Sequence, residues 1–258
     1  MKDNIAGVIF DLDGVLEFQG SVYTGAIELL KYIRGKGIQI RILSNSTLKS
    51  RRSCTEKLSQ KGFAIYEHEV ITASFATARY LEKINPKSCW VMLKGEGLEE
   101  FSHLPQDTEN PEYLVLGDLR DDFNFRNLNK ALQLITKGAR LVVMITERVD
   151  SSLGELELTV GAYGRMLEEA ADIRATYIGK PNSYIFDITL STMEPIDRSR
   201  ILMIGDKMET DILGAGKAGL QTALIKSGEF KEKYMMHPAI NPDYVFNSIE
   251  EVVNIFNS

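Results

Sequence analysis

The chain has 258 residues, 44% of them hydrophobic and 26% charged, with a formal net charge of −6. That length allows one large domain or a core with an insertion, and the composition is that of an ordinary soluble globular protein. The acidic balance disfavours a nucleic-acid backbone as partner, and no apolar run approaches the ~20 residues a membrane helix needs.

The start, Met1-Lys2-Asp3-Asn4, lacks the basic region and long apolar stretch of a signal peptide. Residues 5–10 then read as a strand that ends abruptly in Asp11-Leu12-Asp13-Gly14. The period of two puts both carboxylates on one side of the strand end. Unit charges 4 Å apart repel by roughly 4 kcal/mol at an effective dielectric near 20, so a shared proton or a cation must offset them. A helix over 26–34, with Ile27, Leu30 and Ile33 at helical spacing, stops at Gly35-Lys36-Gly37. A strand over 38–43 runs into Ser44-Asn45-Ser46-Thr47, and a helix over 50–60 follows. The short basic cluster Lys49-Ser50-Arg51-Arg52 reads as the solvated start of that helix. A strand over 70–72 and a helix over 73–83 complete an alternation that implies parallel strands with right-handed crossovers.

Pro86 opens a different stretch. Strands are expected over 89–93, 113–116 and 141–144, with a helix over 125–137. The chain is irregular from 150 to 164, with a possible strand at 156–160, and a helix over 163–171 ends the segment. The first pattern resumes with a short strand at 177–179, a helix over 182–192 and a strand over 200–204 that runs into Gly205-Asp206. A helix over 209–218, strands at 222–225 and 244–246, and a helix over 249–256 finish the chain. The pattern predicts a Rossmann-like α/β core with a parallel sheet, built from 1–79 and 175–258 and interrupted by an inserted α/β domain over 80–174.

Open α/β sheets bind ligands outside the carboxyl ends of their strands. Polar groups suited to one site stand at four such ends: Asp11 and Asp13, Ser44 and Asn45, Lys180 in Gly179-Lys180-Pro181, and Asp206 with Asp211 five residues on. Singly, each has a bland explanation as a helix cap, a surface lysine or a turn residue. Together, at successive strand ends, they point to one site. Gly214-Ala215-Gly216-Lys217-Ala218-Gly219 spells a dinucleotide fingerprint but closes a helix rather than opening one, so it reads as close packing. Asn45-Ser46-Thr47 spells a glycosylation sequon, with nothing to suggest secretion. Cys54 and Cys89 lack metal-ligand spacing and read as buried thiols in a reducing cytoplasm. His68, His103 and His237 are too far apart in sequence to suggest a ligand set.

This constellation resembles the haloacid dehalogenase superfamily of phosphotransferases. Asp11-Leu12-Asp13-Gly14-Val15, Ser44, Lys180 and Gly205-Asp206-Lys207-Met208-Glu209-Thr210-Asp211 match its four motifs in order. The position of the insertion is similar to that of a C2-type cap. Gly-Lys-Pro with Gly-Asp-x-x-x-Thr-Asp resembles subfamily IIA, which holds 4-nitrophenylphosphatase-like and sugar-phosphatase-like enzymes and the phospholysine phosphohistidine inorganic pyrophosphate phosphatase branch. Ser44-Asn45-Ser46 departs from the usual Thr-Asn-Asn, and Thr24-Gly25-Ala26 from Pro-Gly-Ala, without removing a catalytic group.

The resemblance implies a phosphatase acting on a small phosphorylated metabolite. Asp11 is implied as nucleophile and Asp13 as proton donor and acceptor. Mg²⁺ is implied on Asp11, the Asp13 carbonyl and Asp206, with Ser44, Asn45 and Lys180 on the phosphoryl group and Asp211 supporting that shell. In Gly161-Ala162-Tyr163-Gly164, Tyr163 is a candidate for a cap loop facing the site. A phosphoryl transferase or mutase, and a binding protein without turnover, stand as alternatives. A homodimer through the inserted domain is left open.

Overall fold

The computed structural model describes residues 5–150, 155–230 and 241–257. Met1-Lys2-Asp3-Asn4 and His237 lie outside the described residues. The chain opens with β1 (Gly7–Asp11), a short hairpin of β2 (Glu17–Phe18) and β3 (Ser21–Val22), and α1 (Ala26–Gly35). Then come β4 (Gln39–Ser44), α2 (Arg51–Gln60), β5 (Val70–Thr72) and α3 (Ala73–Ile84). Helices α2 and α3 start where a hydroxyl side chain caps a free amide: Ser50 accepts from Ser53 and Thr72 from Phe75.

The middle of the chain adds β6 (Cys89–Met92), β7 (Tyr113–Leu116), α4 (Phe125–Thr136) and β8 (Arg140–Val143). A hairpin of β9 (Val149–Asp150) and β10 (Glu157–Leu158), then α5 (Val160–Ala171) and β11 (Thr176–Tyr177), follow. The last part has α6 (Ser183–Ser191), β12 (Ile201–Gly205), a wide helical turn over Met208–Ile212, α7 (Leu213–Lys217), β13 (Gln221–Ile225) and β14 (Tyr244–Phe246). Residues Ile249–Phe256 form a tight helix of 3₁₀ type.

Two parallel sheets result. The larger orders its strands β14-β13-β12-β1-β4-β5, and the smaller β11-β8-β7-β6. β1 lies between β12 and β4 and is buried along its whole length, as an uninterrupted Val-Ile-Phe run in a covered parallel strand should be. Its two faces feed different clusters: Val8 and Phe10 pack with Leu30, Ile33 and Val252, while Ile9 packs with Ile71, Phe186 and Met203.

Two expectations need correction. β11 is hydrogen-bonded to β8, so the smaller sheet reaches Tyr177 and extends past the expected boundary at 174. A strand as short as Thr176–Tyr177 carries too little periodicity to announce its sheet. Residues Gly161–Gly164 are not a turn; they lie in the first turns of α5. Gly161 sits there because a Cβ would come within 2.4 Å of the carbonyl oxygens of Thr146 and Glu147. Gly164 packs on Val143, where a Cβ would lie 2.9 Å from the side chain. Both glycines therefore mark close packing rather than a bend. Gly214 of the fingerprint-like run packs on Phe186, where a Cβ would lie 2.4 Å from the ring.

Candidate active site

Strand register assembles the site. Asp11, the last residue of β1, is level with Leu43 of β4, and Phe10 is level with Ile204 of β12. Ser44 therefore emerges on one side of Asp11 and Asp206 on the other. All three side chains are buried. Carboxyl oxygens of Asp11, Asp206 and Asp211 lie within 4.8 Å of one another.

Lys180 answers that charge. Its Nζ lies 2.5 Å from Asp11 Oδ1 and 2.7 Å from Asp211 Oδ1, and donates to the Leu43 carbonyl at 3.3 Å. The loop that delivers it is held on all sides. The Gly179 amide donates to the Met144 carbonyl at 2.8 Å, and the Lys180 amide to Asn45 Oδ1 at 2.9 Å. Thr146 Oγ1 donates to the Lys180 carbonyl at 3.0 Å. A Cβ on residue 179 would meet Met144 O at 2.7 Å and Asn45 Oδ1 at 2.8 Å, so glycine is required for this approach. Asn45 is thus a bracket between the layers: its Nδ2 also donates to both carboxylate oxygens of Glu147 at 2.8 Å.

Burial dominates the titration of the acids. It pushes Asp11 up to about 7, with Lys180 opposing and Asp211 adding to the rise. Burial also raises Asp13, against the attraction of Lys49, and lifts Asp206 well above the carboxylate range, aided by Asp11 and Asp211. For Lys180, burial pulls the ammonium down, but the attraction of Asp11 and Asp211 outweighs it and the net shift is upward.

The chemistry of the donors separates the three buried aspartates. Asp211 is occupied, by Lys180 on one oxygen and by the Lys207 amide at 3.1 Å on the other. Asp206 Oδ2 accepts the Glu229 amide at 2.7 Å, while its Oδ1 is buried with no hydrogen-bond partner among the described residues. A buried carboxylate oxygen left bare is costly unless a cation takes it. Gly14 holds the neighbouring backbone in the left-handed region at φ +98°, where a Cβ would lie 2.1 Å from Asp206 Oδ2.

These groups open into a cavity of about 460 Å³ lined from both sheets. Asp11, Asp13, Ser44, Asn45 and Lys180 all line it. Tyr163 does not; its ring stacks on Phe123 with centroids 3.8 Å apart, as core of the smaller layer. Lys49 does line it, so the basic cluster is not merely solvated: Arg51 lies over the Phe75 ring, Arg52 pairs with Glu99 at 2.9 Å, and Lys49 turns inward. Glu17, Lys57, Arg120 and Glu147 also face the cavity and had no sequence motif to announce them, and Lys207 does so from a variable position inside the last motif. The strand-end rule finds Glu147 once β8 is treated like β1 and β4. His68 stacks on Tyr66 and His103 pairs with Glu82 at 2.7 Å, away from the cavity lining.

Known proteins are similar to this chain over most of its length. A family model for haloacid dehalogenase-like hydrolases matches residues 8–104, and a second, HAD-hydrolase-like, matches 177–252. Haloacid dehalogenase-like hydrolase domain-containing protein 2 of Bos taurus is 30% identical over 229 residues, covering 88% of this chain and 86% of that protein. The chain belongs to the haloacid dehalogenase-like hydrolase family. The phospholysine phosphohistidine inorganic pyrophosphate phosphatase of Xenopus laevis is similar across the same hydrolase architecture, 29% identical over 98% of this chain and 92% of its own length. Among solved structures, p-nitrophenyl phosphatase from Archaeoglobus fulgidus superimposes with a TM-score of 0.91 at 25% identity, covering 98% of this chain and 99% of that one. NagD from E. coli K-12 gives 0.88 at 25% identity, covering 96% and 98%. These are subfamily IIA neighbours, and the chain is a hydrolase of that kind.

Proposed function

We propose that this hydrolase is a Mg²⁺-dependent phosphatase that cleaves a small phosphomonoester through an aspartyl-phosphate on Asp11. One observation carries the reading: the buried Asp11 carboxylate, held by Lys180 at 2.5 Å, faces the cavity beside an Asp206 oxygen that lacks a partner among the described residues. The names of similar proteins, phosphatases among them, support it.

Asp11 attacks phosphorus in line, forming an O–P bond as the ester P–O bond breaks. Asp13, whose carboxyl burial raises, donates its proton to the leaving oxygen. It then takes a proton from the water that attacks the acyl-phosphate, releasing inorganic phosphate and restoring Asp11. The Ser44 hydroxyl and the Asn45 backbone amide hold phosphoryl oxygens, and the Lys180 ammonium balances charge on the nucleophile and the transferring group. The donor set fits a divalent cation: Asp11, the Asp13 carbonyl and Asp206 would hold Mg²⁺, which when bound offsets repulsion between the carboxylates and an anionic substrate. The smaller layer, within 80–174 and extending to Tyr177, serves as the cap; Asp118, Arg120, Ile145 and Glu147 line the cavity from its side.

The test is release of 4-nitrophenol from 4-nitrophenyl phosphate with and without Mg²⁺. Metal-dependent release that Asp11→Asn abolishes is the expected result. Equal release by both proteins, or release indifferent to chelation, refutes the assignment.

A further inference from the structure

Five cationic side chains line the cavity: Lys49, Lys57, Arg120, Lys180 and Lys207. Four have carboxylate partners. Lys57 pairs with Glu17 at 3.1 Å, Arg120 with Asp118 at 3.3 Å, Lys180 with Asp11 at 2.5 Å and Lys207 with Glu229 at 2.5 Å. Lys49 alone has no carboxylate within ion-pair distance among the described residues. Lys57 lines the same cavity, and its charge disfavours the charged form of Lys49. The buried carboxylate of Glu17 is held by Lys57 and Lys61, and the acid whose charge acts on Lys49 is Asp13.

The backbone fixes where the Lys49 side chain starts. The loop carrying Lys49 is pinned on both sides: the Leu48 carbonyl accepts the Gly97 amide at 2.9 Å, and the Lys49 carbonyl accepts Ser74 Oγ at 2.9 Å. A Cβ on residue 97 would lie 2.0 Å from the Thr47 carbonyl oxygen, so the contact between loop and smaller layer is backbone on backbone. A fixed loop that presents to a cavity a cation with no ion-pair partner among the described residues suits an anion. The phosphoryl group does not fill that role, because Ser44, Asn45 and Lys180 already serve it. Burial and the neighbouring Lys57 press the Lys49 ammonium toward its neutral form, with Asp13 opposing, a tension that a second ligand charge would relieve.

We infer that Lys49, backed by Lys57, is a specificity-determining subsite for a second anionic group of the substrate, so that the preferred substrates are small phosphomonoesters that also carry a carboxylate or a second phosphate. The inference rests on the phosphatase reading above. It adds the charge of the part of the substrate that is not transferred.

Three probes of equal carbon length test it: glycerol 3-phosphate, 3-phosphoglycerate and propane-1,3-diol bisphosphate, with 4-nitrophenyl phosphate as an activity control. The expected kcat/KM for an anionic probe exceeds that for glycerol 3-phosphate by roughly 10- to 100-fold, the range one charge-assisted hydrogen bond supports. The better of the two anionic probes identifies carboxylate or phosphate as the group bound. In Lys49→Met that ratio should fall toward one, mainly through KM, and Lys49→Arg should restore most of it. A ratio near one in the unaltered enzyme, or a ratio that survives Lys49→Met, overturns the subsite while 4-nitrophenyl phosphate turnover leaves the phosphatase reading standing. No turnover of any of the four compounds overturns both. Equal melting temperatures of the Met and Arg variants separate lost recognition from lost folding.

Discussion

Replacing Lys180 by Met removes the cation that touches both Asp11 and Asp211 in a buried acidic cluster, while keeping the side chain's length and apolar stem. Carboxyl oxygens of Asp11, Asp206 and Asp211 lie within 4.8 Å of one another, a spacing at which each ionised pair repels by roughly 3.5 kcal/mol at an effective dielectric near 20. Contacts at 2.5 and 2.7 Å from the ammonium offset that repulsion in the unaltered chain. Without it the cluster takes up protons rather than remaining fully charged, so the loss in stability is bounded by that of breaking a buried pair, about 3–5 kcal/mol. A domain of ordinary stability, about 5–15 kcal/mol, survives this near room temperature with a much lower melting point.

Activity should suffer more than folding. Lys180 lowers Asp11, whose carboxyl already stands at about 7, so its removal moves Asp11 further up. The nucleophile must be ionised, and the acid limb of the kcat/KM profile therefore moves to higher pH. Every pH unit that the limb moves removes about tenfold of the active enzyme below it. Adding the loss of a cation at the transferring group, worth about 10²–10³, the expected fall in kcat/KM at neutral pH is about 10³ or more. The assay is a pH series with 4-nitrophenyl phosphate, beside urea unfolding of Lys180→Met, Asp211→Asn and the double variant. Asp211→Asn should restore part of the stability lost in Lys180→Met, by about 1–2 kcal/mol of coupling, and none of the activity. A Lys180→Met enzyme within tenfold of normal, with an unmoved acid limb, refutes the reasoning.

Glu17 is buried beneath Lys57 and Lys61; burial pushes its carboxyl up, but hydrogen bonds from the two lysines prevail and the net shift is downward. A depressed carboxyl contributes stability that is complete above its unfolded value, near pH 4.3, and is lost as pH falls through the lower folded value. Glu17→Gln should therefore cost about 1–2 kcal/mol near neutral pH, less than a fully buried pair because Lys57 can turn to solvent, and the deficit should close in melts below about pH 4; a deficit constant from pH 7 to 3 contradicts this. Tyr163→Ala should remove a stacked ring from the smaller layer, lowering stability by roughly 1–3 kcal/mol, while KM for 4-nitrophenyl phosphate changes by less than about threefold. A large rise in KM with no change in melting would return Tyr163 to the cavity.

What is legible in the sequence follows from where the information sits. Asp11, Ser44 and Asp206 each close an apolar run, so strand period and the strand-end rule place them without any knowledge of pairing. Asp211 has its two oxygens taken by Lys180 and the Lys207 amide, contacts that no strand period announces. Tyr163 misleads because its flanking glycines suggest a turn, whereas Gly161 is small to admit the Thr146 and Glu147 carbonyls. Lys49 misleads because charge runs at helix starts face water in most proteins. Here Arg51 and Arg52 do have outer partners, Phe75 and Glu99, and only the third dimension separates Lys49 from them. Glu147 is invisible for a related reason: its meaning lies in Asn45, 102 residues away.

That last contact bears on how the two layers work together. Lys180 reaches Asp11 from a peptide whose carbonyl accepts Thr146 Oγ1 at 3.0 Å and Asn45 Nδ2 at 3.2 Å. Its amide goes to Asn45 Oδ1 at 2.9 Å, and the preceding Gly179 amide goes to the Met144 carbonyl at 2.8 Å. Met144, Thr146 and Glu147 all follow directly from β8, a strand of the smaller sheet, while Asn45 follows β4 of the larger. The cation paired with Asp11 is therefore fixed by both layers at once, through neutral hydrogen bonds that have none of the slack of a solvated loop. A displacement of the smaller layer by even about an ångström would break several of these bonds, which weaken steeply beyond their normal length, and draw Lys180 off Asp11. The position of the smaller layer and the charge beside Asp11 are thereby linked through one peptide, and on the proposed phosphatase reading a substrate that bridged the smaller layer and the Lys49 loop would also hold Lys180 on Asp11.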